Sequence, residues 1–186
     1  LLRTDAGEER FDDVVLAAHS DQSLALLADA SADEQRLLGA IRYQPNRVLL
    51  HTDDAVLPTR KRAWAAWNYE RAAERSREEA GVCLHYLINR LQPLPWKTPV
   101  IVSMNPLRPI VKAKVLGEWC YTHPVFDRAA VQAQRELATI QGRSGLWFCG
   151  AWTRYGFHED GLMSGLAVAD GLRAQWAAQD RLRAAA

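Results

Sequence analysis

The chain has 186 residues, 48% of them hydrophobic and 24% charged, a balance that excludes a disordered or fibrous protein. A chain of this length holds one large domain or two small ones and buries a real core. Its formal net charge of +1 gives no electrostatic reason to expect nucleic acid or an anionic membrane surface as partner, and no apolar run is long enough to span a bilayer.

Cys83, Cys120 and Cys149 are odd in number, far apart and free of any C-x-x-C spacing. That pattern predicts reduced thiols in a cytoplasmic protein, with neither a disulfide framework nor a zinc site.

The chain opens with a hairpin-like "RTDAGEER", followed by the continuous apolar run Val14, Val15, Leu16 and Ala17. Such a run predicts a strand covered on both faces. A strand of that kind needs neighbours, and the residues before it supply none, so the sequence reads as a fragment of a longer protein. The alternative is a complete domain with a processed N-terminus.

"HSDQSLALLADASADEQRLLGAI" then reads as two short helices. Ser31 and Glu34 have capping-box spacing, and Leu37, Leu38 and Ile41 supply the buried face. The middle of the chain is strand-rich: "NRVLLHTD", "RAWAAWNYE", "GVCLHYLINRLQ" and "TPVIVSMNP" are apolar or alternating runs separated by Pro, Asp or charged breaks. In "CLHYLIN", Leu84, Tyr86 and Ile88 share one face, while Cys83, His85 and Leu87 share the other, as in an antiparallel sheet. The charged insert "RAAERSREEAG" reads as an exposed connection with a turn of helix. His51, His85 and His123 lie on or beside strands and read as structural residues without chemistry. "RKRAWAAW" combines Arg60, Lys61 and Arg62 with Trp64 and Trp67, but no longer basic face accompanies it, so nucleic acid is not an expected partner.

The last third returns to an α/β pattern. "HPVFDRAAVQAQRELATIQG" predicts an amphipathic helix stopped by Gly142. "LWFCGA" predicts a short buried strand in which Trp147 and Phe148 are core. A final helix is expected from about Gly161 to Gln179, with Leu162, Leu166, Ala169, Leu172 and Trp176 as its core-facing stripe and Gly165 at a close approach. The predicted fold class is therefore α/β plus α+β. Residues 1–20 and 123–186 form parts of an open α/β domain, and residues 21–122 form an inserted substrate-type domain whose mainly antiparallel sheet is expected from about residue 40 to 122. Residues 10–18 and 146–151 are expected side by side in a small sheet of their own.

The stretch "LWFCGAWTRYGFHEDGLMSGLAVADGL" carries the functional reading. A strand ending in Gly150-Ala151, a loop, and a helix opening near Gly161 present unpaired N–H groups and a positive dipole end above the sheet. In open α/β sheets ligands sit at the carboxyl ends of the strands. Reduction of a flavin places negative charge near N1 and the C2 carbonyl, which a helix N-terminus stabilises. His158-Glu159-Asp160 is not expected to hold a metal, because three adjacent residues cannot all point inward. Asp160 also suits a helix N-cap. "GRSGL" and "LMSGL" do not fit G-x-S-x-G, so no hydrolase elbow is expected.

"FCGAW…YGFHEDGLMSGLAVADGL" resembles the C-terminal flavin-binding segment of the flavin-containing amine oxidase and phytoene-desaturase-like superfamily. "FDDVVLAAHSD", "VLLHTD", "AWAAWNYE", "YLINRLQ" and "GFHEDGL" resemble a bacterial subgroup described as predicted NAD/FAD-binding amine-oxidase-like proteins. Relatives of that subgroup form the N-terminal part of some plant cyclopropane fatty acid synthases. The resemblance implies a Rossmann-like FAD-binding domain with an inserted substrate domain. It implies that Gly150 and Ala151 approach the ribityl and pyrophosphate, and that Trp152 stands where many members carry an acidic ribityl or phosphate contact. Phe157 matches an aromatic-cage position without its hydroxyl. His158 and Glu159 match positions whose N–H groups meet the flavin C2 carbonyl. Asp160 replaces a common Gly, while Gly161, Ser164 and Gly165 match the small-residue helix start that Leu162 continues. The superfamily's G-x-G-x-x-G unit, which cradles the pyrophosphate, is absent and would lie upstream of residue 1.

The expectation is thus an FAD-dependent oxidoreductase of the amine oxidase type, passing a hydride equivalent from an unidentified amine or lipid-like small molecule to the flavin. The alternative is a non-catalytic flavoprotein-fold module associated with lipid-modifying enzymes. No residue stands out as catalytic acid or base. The fragment alone is expected to be inactive, to bind FAD weakly or not at all, and to self-associate through the apolar face left bare.

Overall fold

A computed structural model describes residues 1–71 and 83–184. The charged stretch "RAAERSREEAG" lies, beyond Arg71, outside the described residues. In chain order the strands are β1 (Leu2–Thr4), β2 (Gly7–Glu9), β3 (Val14–Leu16), β4 (Arg42–His51), β5 (Trp67–Glu70), β6 (Cys83–Leu87), β7 (Ile101–Met104), β8 (Val115–Val125) and β9 (Leu146–Phe148). The helices are α1 (Ser20–Leu26), α2 (Ala32–Gly39), α3 (Arg128–Glu136) and α4 (His158–Ala184). The chain divides into two compact units, one of Leu1–Tyr43 with Pro124–Ala186 and the other of Gln44–His123.

In the first unit β1 and β2 form the antiparallel hairpin, with Leu2 opposite Glu9 and an Arg3–Glu8 ion pair at 2.6 Å. β3 and β9 pair in parallel, Val14 to Leu146, Val15 to Trp147 and Leu16 to Phe148. The two runs expected to lie side by side do so. The other edge of β9 is met by the Gly142 N–H, which donates to the Leu146 carbonyl at 2.8 Å, and by one side chain. Gln141 donates its amide to the Phe148 carbonyl at 2.6 Å and accepts the Phe148 N–H at 2.8 Å, completing the bonds a further strand would make. Val15 does not meet the expectation of a strand covered on both faces, since it is 43% exposed.

The capping box of α2 forms as its sequence predicts. Ser31 Oγ accepts the Glu34 N–H at 3.3 Å, and the Glu34 carboxylate accepts the Ser31 N–H at 2.7 Å. Leu37, Leu38 and Ile41 then pack with Ala130, Ala133, Leu137 and Ile140, and with Phe148 and Trp152. The Asp127 carboxylate caps α3 by accepting the Ala130 N–H; the helix ends at Glu136, short of the expected stop, and a 3-10 turn over Leu137–Thr139 leads to Gly142 at φ +73°. This shared core corrects the expected boundary. α1 and α2 belong with the C-terminal helices, so the insert begins at about residue 44 rather than 21. Arg42 and Asp127 form an ion pair at 2.8 Å where the chain leaves this unit and where it returns.

α4 begins three residues earlier than expected, and its buried face differs. Leu162, Leu166 and Trp176 are about half exposed, at 58%, 50% and 48%. Val168 is buried, and the small residues set the approach: a Cβ on Gly171 would stand 2.6 Å from the Trp147 ring. Gly165, expected at the close approach, faces open space. Small residues let α4 sit close to Trp147, an arrangement hydropathy does not report.

The second unit is a five-stranded sheet in the order β5-β6-β7-β4-β8. β5 with β6, β6 with β7, and β4 with β7 pair antiparallel. The alternation in β6 is as expected, with Cys83, His85 and Leu87 buried. Leu87 joins Val56, Leu57 and Ile101 in the core on that face, flanked by Trp64 and Ile110. Asp53 is buried beside this core and accepts the Val111 N–H at 3.1 Å and the Lys114 ammonium at 2.9 Å. Those bonds, the Val111 N–H foremost, hold its carboxyl below the usual range.

Candidate functional site

The expected site residues lie on one continuous path from the end of β9 to the start of α4. Gly150, at φ +150°, is the left-handed exit from the strand, and Ala151, Trp152 and Thr153 form a 3-10 turn. The Gly150 N–H donates to Ser164 Oγ at 2.9 Å, and its carbonyl accepts from Thr153 Oγ1. Trp152 is buried and its indole N–H donates to the Ala18 carbonyl, just beyond β3, at 2.9 Å. Gly150 and Trp152 therefore tie the loop to the sheet, and the Trp152 side chain fills the core instead of replacing an acidic ligand contact.

Phe157, His158, Glu159 and Leu162 are exposed around the first turn of α4. Gly161 lies against Ala151, where a Cβ would meet the Ala151 nitrogen at 3.7 Å. Asp160 is buried and sits in the first turn, not at the cap. Its carboxylate accepts the Phe157 N–H at 3.0 Å and the Tyr155 N–H at 3.2 Å, which folds the loop onto the helix start. The N–H groups of the turn that have no intrahelical acceptor are those of residues 158–160, next to exposed Phe157. Behind this turn lies a cavity of about 340 Å³ lined by Gln141, Phe148, Arg154, Met163, Ser164 and Val168.

The second unit holds a buried polar cluster that the sequence did not announce. His51, His85 and Ser103 are fully buried on β4, β6 and β7. Ser103 Oγ lies 2.7 Å from His51 Nε2 and 2.6 Å from His85 Nδ1. His85 Nε2 faces Glu70 Oε2 at 3.1 Å and Cys83 Sγ at 3.5 Å, and Arg108 Nε holds the other Glu70 oxygen at 3.2 Å. The Asp53 N–H donates to His51 Nδ1, so the neutral His51 ring carries its hydrogen on Nε2 and donates to Ser103. Ser103 donates on to His85 Nδ1, and His85 Nε2–H to Glu70. His51, Ser103, His85 and Glu70 are thus joined in one continuous chain of hydrogen bonds. Burial holds His51 below the usual histidine range and pushes the Cys83 thiol up.

Of the histidines read as structural, His51 and His85 therefore form a network with Ser103 and Glu70, while His123 Nδ1 contacts the Asn46 amide at 3.0 Å. The signal available was the alternation that put Cys83 and His85 on one face. Their partners Glu70, Ser103 and His51 come from other strands, and no sequence spacing links them.

No protein-family model matches the sequence, and no curated protein is found to be similar to it. Among the described residues no helix is long and apolar enough to cross a membrane.

Proposed function

We propose that these residues belong to an FAD-dependent oxidoreductase of the amine oxidase type, acting on an amine or lipid-like small molecule. The observation that carries the reading is the path from parallel strand β9 into α4, whose first turn is exposed at His158 and Glu159 beside Phe157. This turn fits the isoalloxazine edge of a flavin. Its N–H groups have no intrahelical acceptor, and its Gly161 lies beside Ala151 at the end of the strand. The ribityl contact does not fit in the same way, because Trp152 and the Gly150 backbone are committed to their own chain.

Bound flavin would supply the hydride acceptor. His158 and Glu159 would lend their N–H groups to the C2 carbonyl edge, and exposed Phe157 would give the substrate an apolar wall. Asp160 would hold the loop of Tyr155 and Phe157 against the helix start.

The test uses the polypeptide that carries a G-x-G-x-x-G unit together with these residues, and measures its flavin absorbance and affinity. His158→Pro removes one N–H at the first helical position, where proline is tolerated, so the fold is retained. FAD affinity should fall at least roughly tenfold, the loss of one charge-assisted hydrogen bond. A colourless parent protein, or unchanged affinity in the variant, would overturn the reading. Bleaching of the flavin by an added amine or lipid separates turnover from a fold kept only for binding.

A further inference from the structure

We infer that Glu70, Cys83 and His85 form a three-ligand site for a divalent ion of the zinc type. Cys83 stands directly opposite Glu70 in the β5–β6 pair, and His85 follows two residues later on the same face. Cys83 Sγ, His85 Nε2 and a Glu70 carboxylate oxygen all lie within 4.8 Å of one another. Two edges of that triangle are 3.5 Å from sulfur to nitrogen and 3.1 Å from nitrogen to oxygen. Zinc bond lengths and a tetrahedral angle give edges of about 3.5 Å and about 3.3 Å, so both of these edges already match a zinc ligand set.

The ligand types fit the ion. A thiolate, an imidazole and a carboxylate together balance its two positive charges and favour zinc over magnesium or calcium, which take oxygen ligands. The support behind the ligands is of the kind metal sites use. Ser103 Oγ holds the far nitrogen of His85 at 2.6 Å and is itself held by His51. Arg108 takes one Glu70 oxygen and leaves the other directed at His85. Cys83 and His85 are buried, whereas the Glu70 side chain is 27% exposed, so an ion enters past the carboxylate and keeps its fourth position for water.

Binding rearranges protons in a defined way. The Cys83 thiol releases its proton to solvent, and the His85 hydrogen passes from Nε2 to Nδ1, where it donates to Ser103 Oγ. Ser103 then accepts from both imidazoles, which its two lone pairs allow. One proton leaves per ion bound.

The test is titration of the protein with Co2+, followed by competition of Zn2+ against a chromophoric chelator. One equivalent of Co2+ should produce thiolate-to-cobalt absorption in the near ultraviolet. Cys83→Ser should abolish that band, and Cys120→Ser, at an exposed cysteine, should leave it intact. Ser103→Ala should weaken Zn2+ about 10- to 100-fold by loosening His85. Glu70→Gln, at a partly exposed position, should weaken it too, and keeps the test open if Cys83→Ser fails to fold. Absence of the thiolate band, its survival in Cys83→Ser, or unchanged Zn2+ affinity in Glu70→Gln would overturn the proposal.

Discussion

The six-membered ring of Trp147 lies 2.6 Å from the point where a Cβ on Gly171 would stand, so α4 meets the strand pair through a missing side chain. Gly171→Ala should therefore cost about 1–3 kcal/mol, as overpacking does. Gly165→Ala has free space and should instead stabilise the helix by about 0.5–1 kcal/mol. Urea unfolding of the two variants should give midpoints on opposite sides of the parent. Combining Gly171→Ala with Trp147→Phe should cost less than the sum of the two changes, because the clash is with the larger ring.

Asp13 accepts hydrogen bonds from the indoles of Trp176 and Trp147 and from the Gln175 amide, at 2.9, 3.0 and 3.2 Å. The Trp176 bond first, then those of Trp147 and Gln175, hold its carboxyl below the ordinary value of 3.8. Asp12, Asp180 and Arg183 are the other charged groups of the same cleft. The folded chain binds the Asp13 proton more weakly than the unfolded chain. Its contribution is therefore complete above the unfolded pKa and is lost as pH falls through the folded one. Asp13→Asn should flatten the acid limb of the stability profile while changing little at higher pH slopes. Parallel profiles for variant and parent across the acid limb, from the unfolded pKa of Asp13 down to its lower folded one, would contradict this.

Ser31→Ala should destabilise α2 by about 1 kcal/mol. Glu34→Ala removes the reciprocal half of the same box, so the double variant should fall short of additivity. A thermal melt of the four proteins in the cycle measures the coupling.

In the sheet unit, Asp53 carries more than its ion pair. Its side chain is 3% exposed and serves two backbone N–H groups as well as Lys114, whose own side chain is 42% exposed. Asp53→Ala strands a buried cluster of donors and should cost about 3 kcal/mol. Lys114→Met removes a partner that reaches solvent and should cost about 1 kcal/mol or less. Equal losses in denaturant titrations would show that the pair, not the loop N–H groups, matters.

Much of this architecture can be read where hydrophobicity and local chemistry agree. Ser31 with Glu34 marks a helix start, and the alternation of Cys83, His85 and Leu87 marks a buried sheet face. α4 is harder to read, because its packing face depends on Gly171 and Val168 while the bulkier Leu162 and Leu166 face outward. It starts ahead of the expected position because Asp160 receives the loop N–H groups from inside the first turn, a geometry that shares its residue type with an N-cap. The place of α1 and α2 outside the insert is not legible, because nothing in their sequence names the partner of Leu37 and Leu38. The His51–Ser103–His85 chain was illegible for the same reason. Its hydrogen bonds join residues 52 and 18 positions apart.

The Arg42–Asp127 pair clamps the two points between which the whole sheet unit is looped out. For the helical unit that excursion is a single closed loop, and closure entropy rises only with the logarithm of loop length. Shrinking it tenfold would alter that cost by only about 2 kcal/mol. The insert is thus a replaceable cassette: a short hairpin joining the same two points would let the helical unit close its own core. The sheet can then vary in size and sequence at little expense to its host.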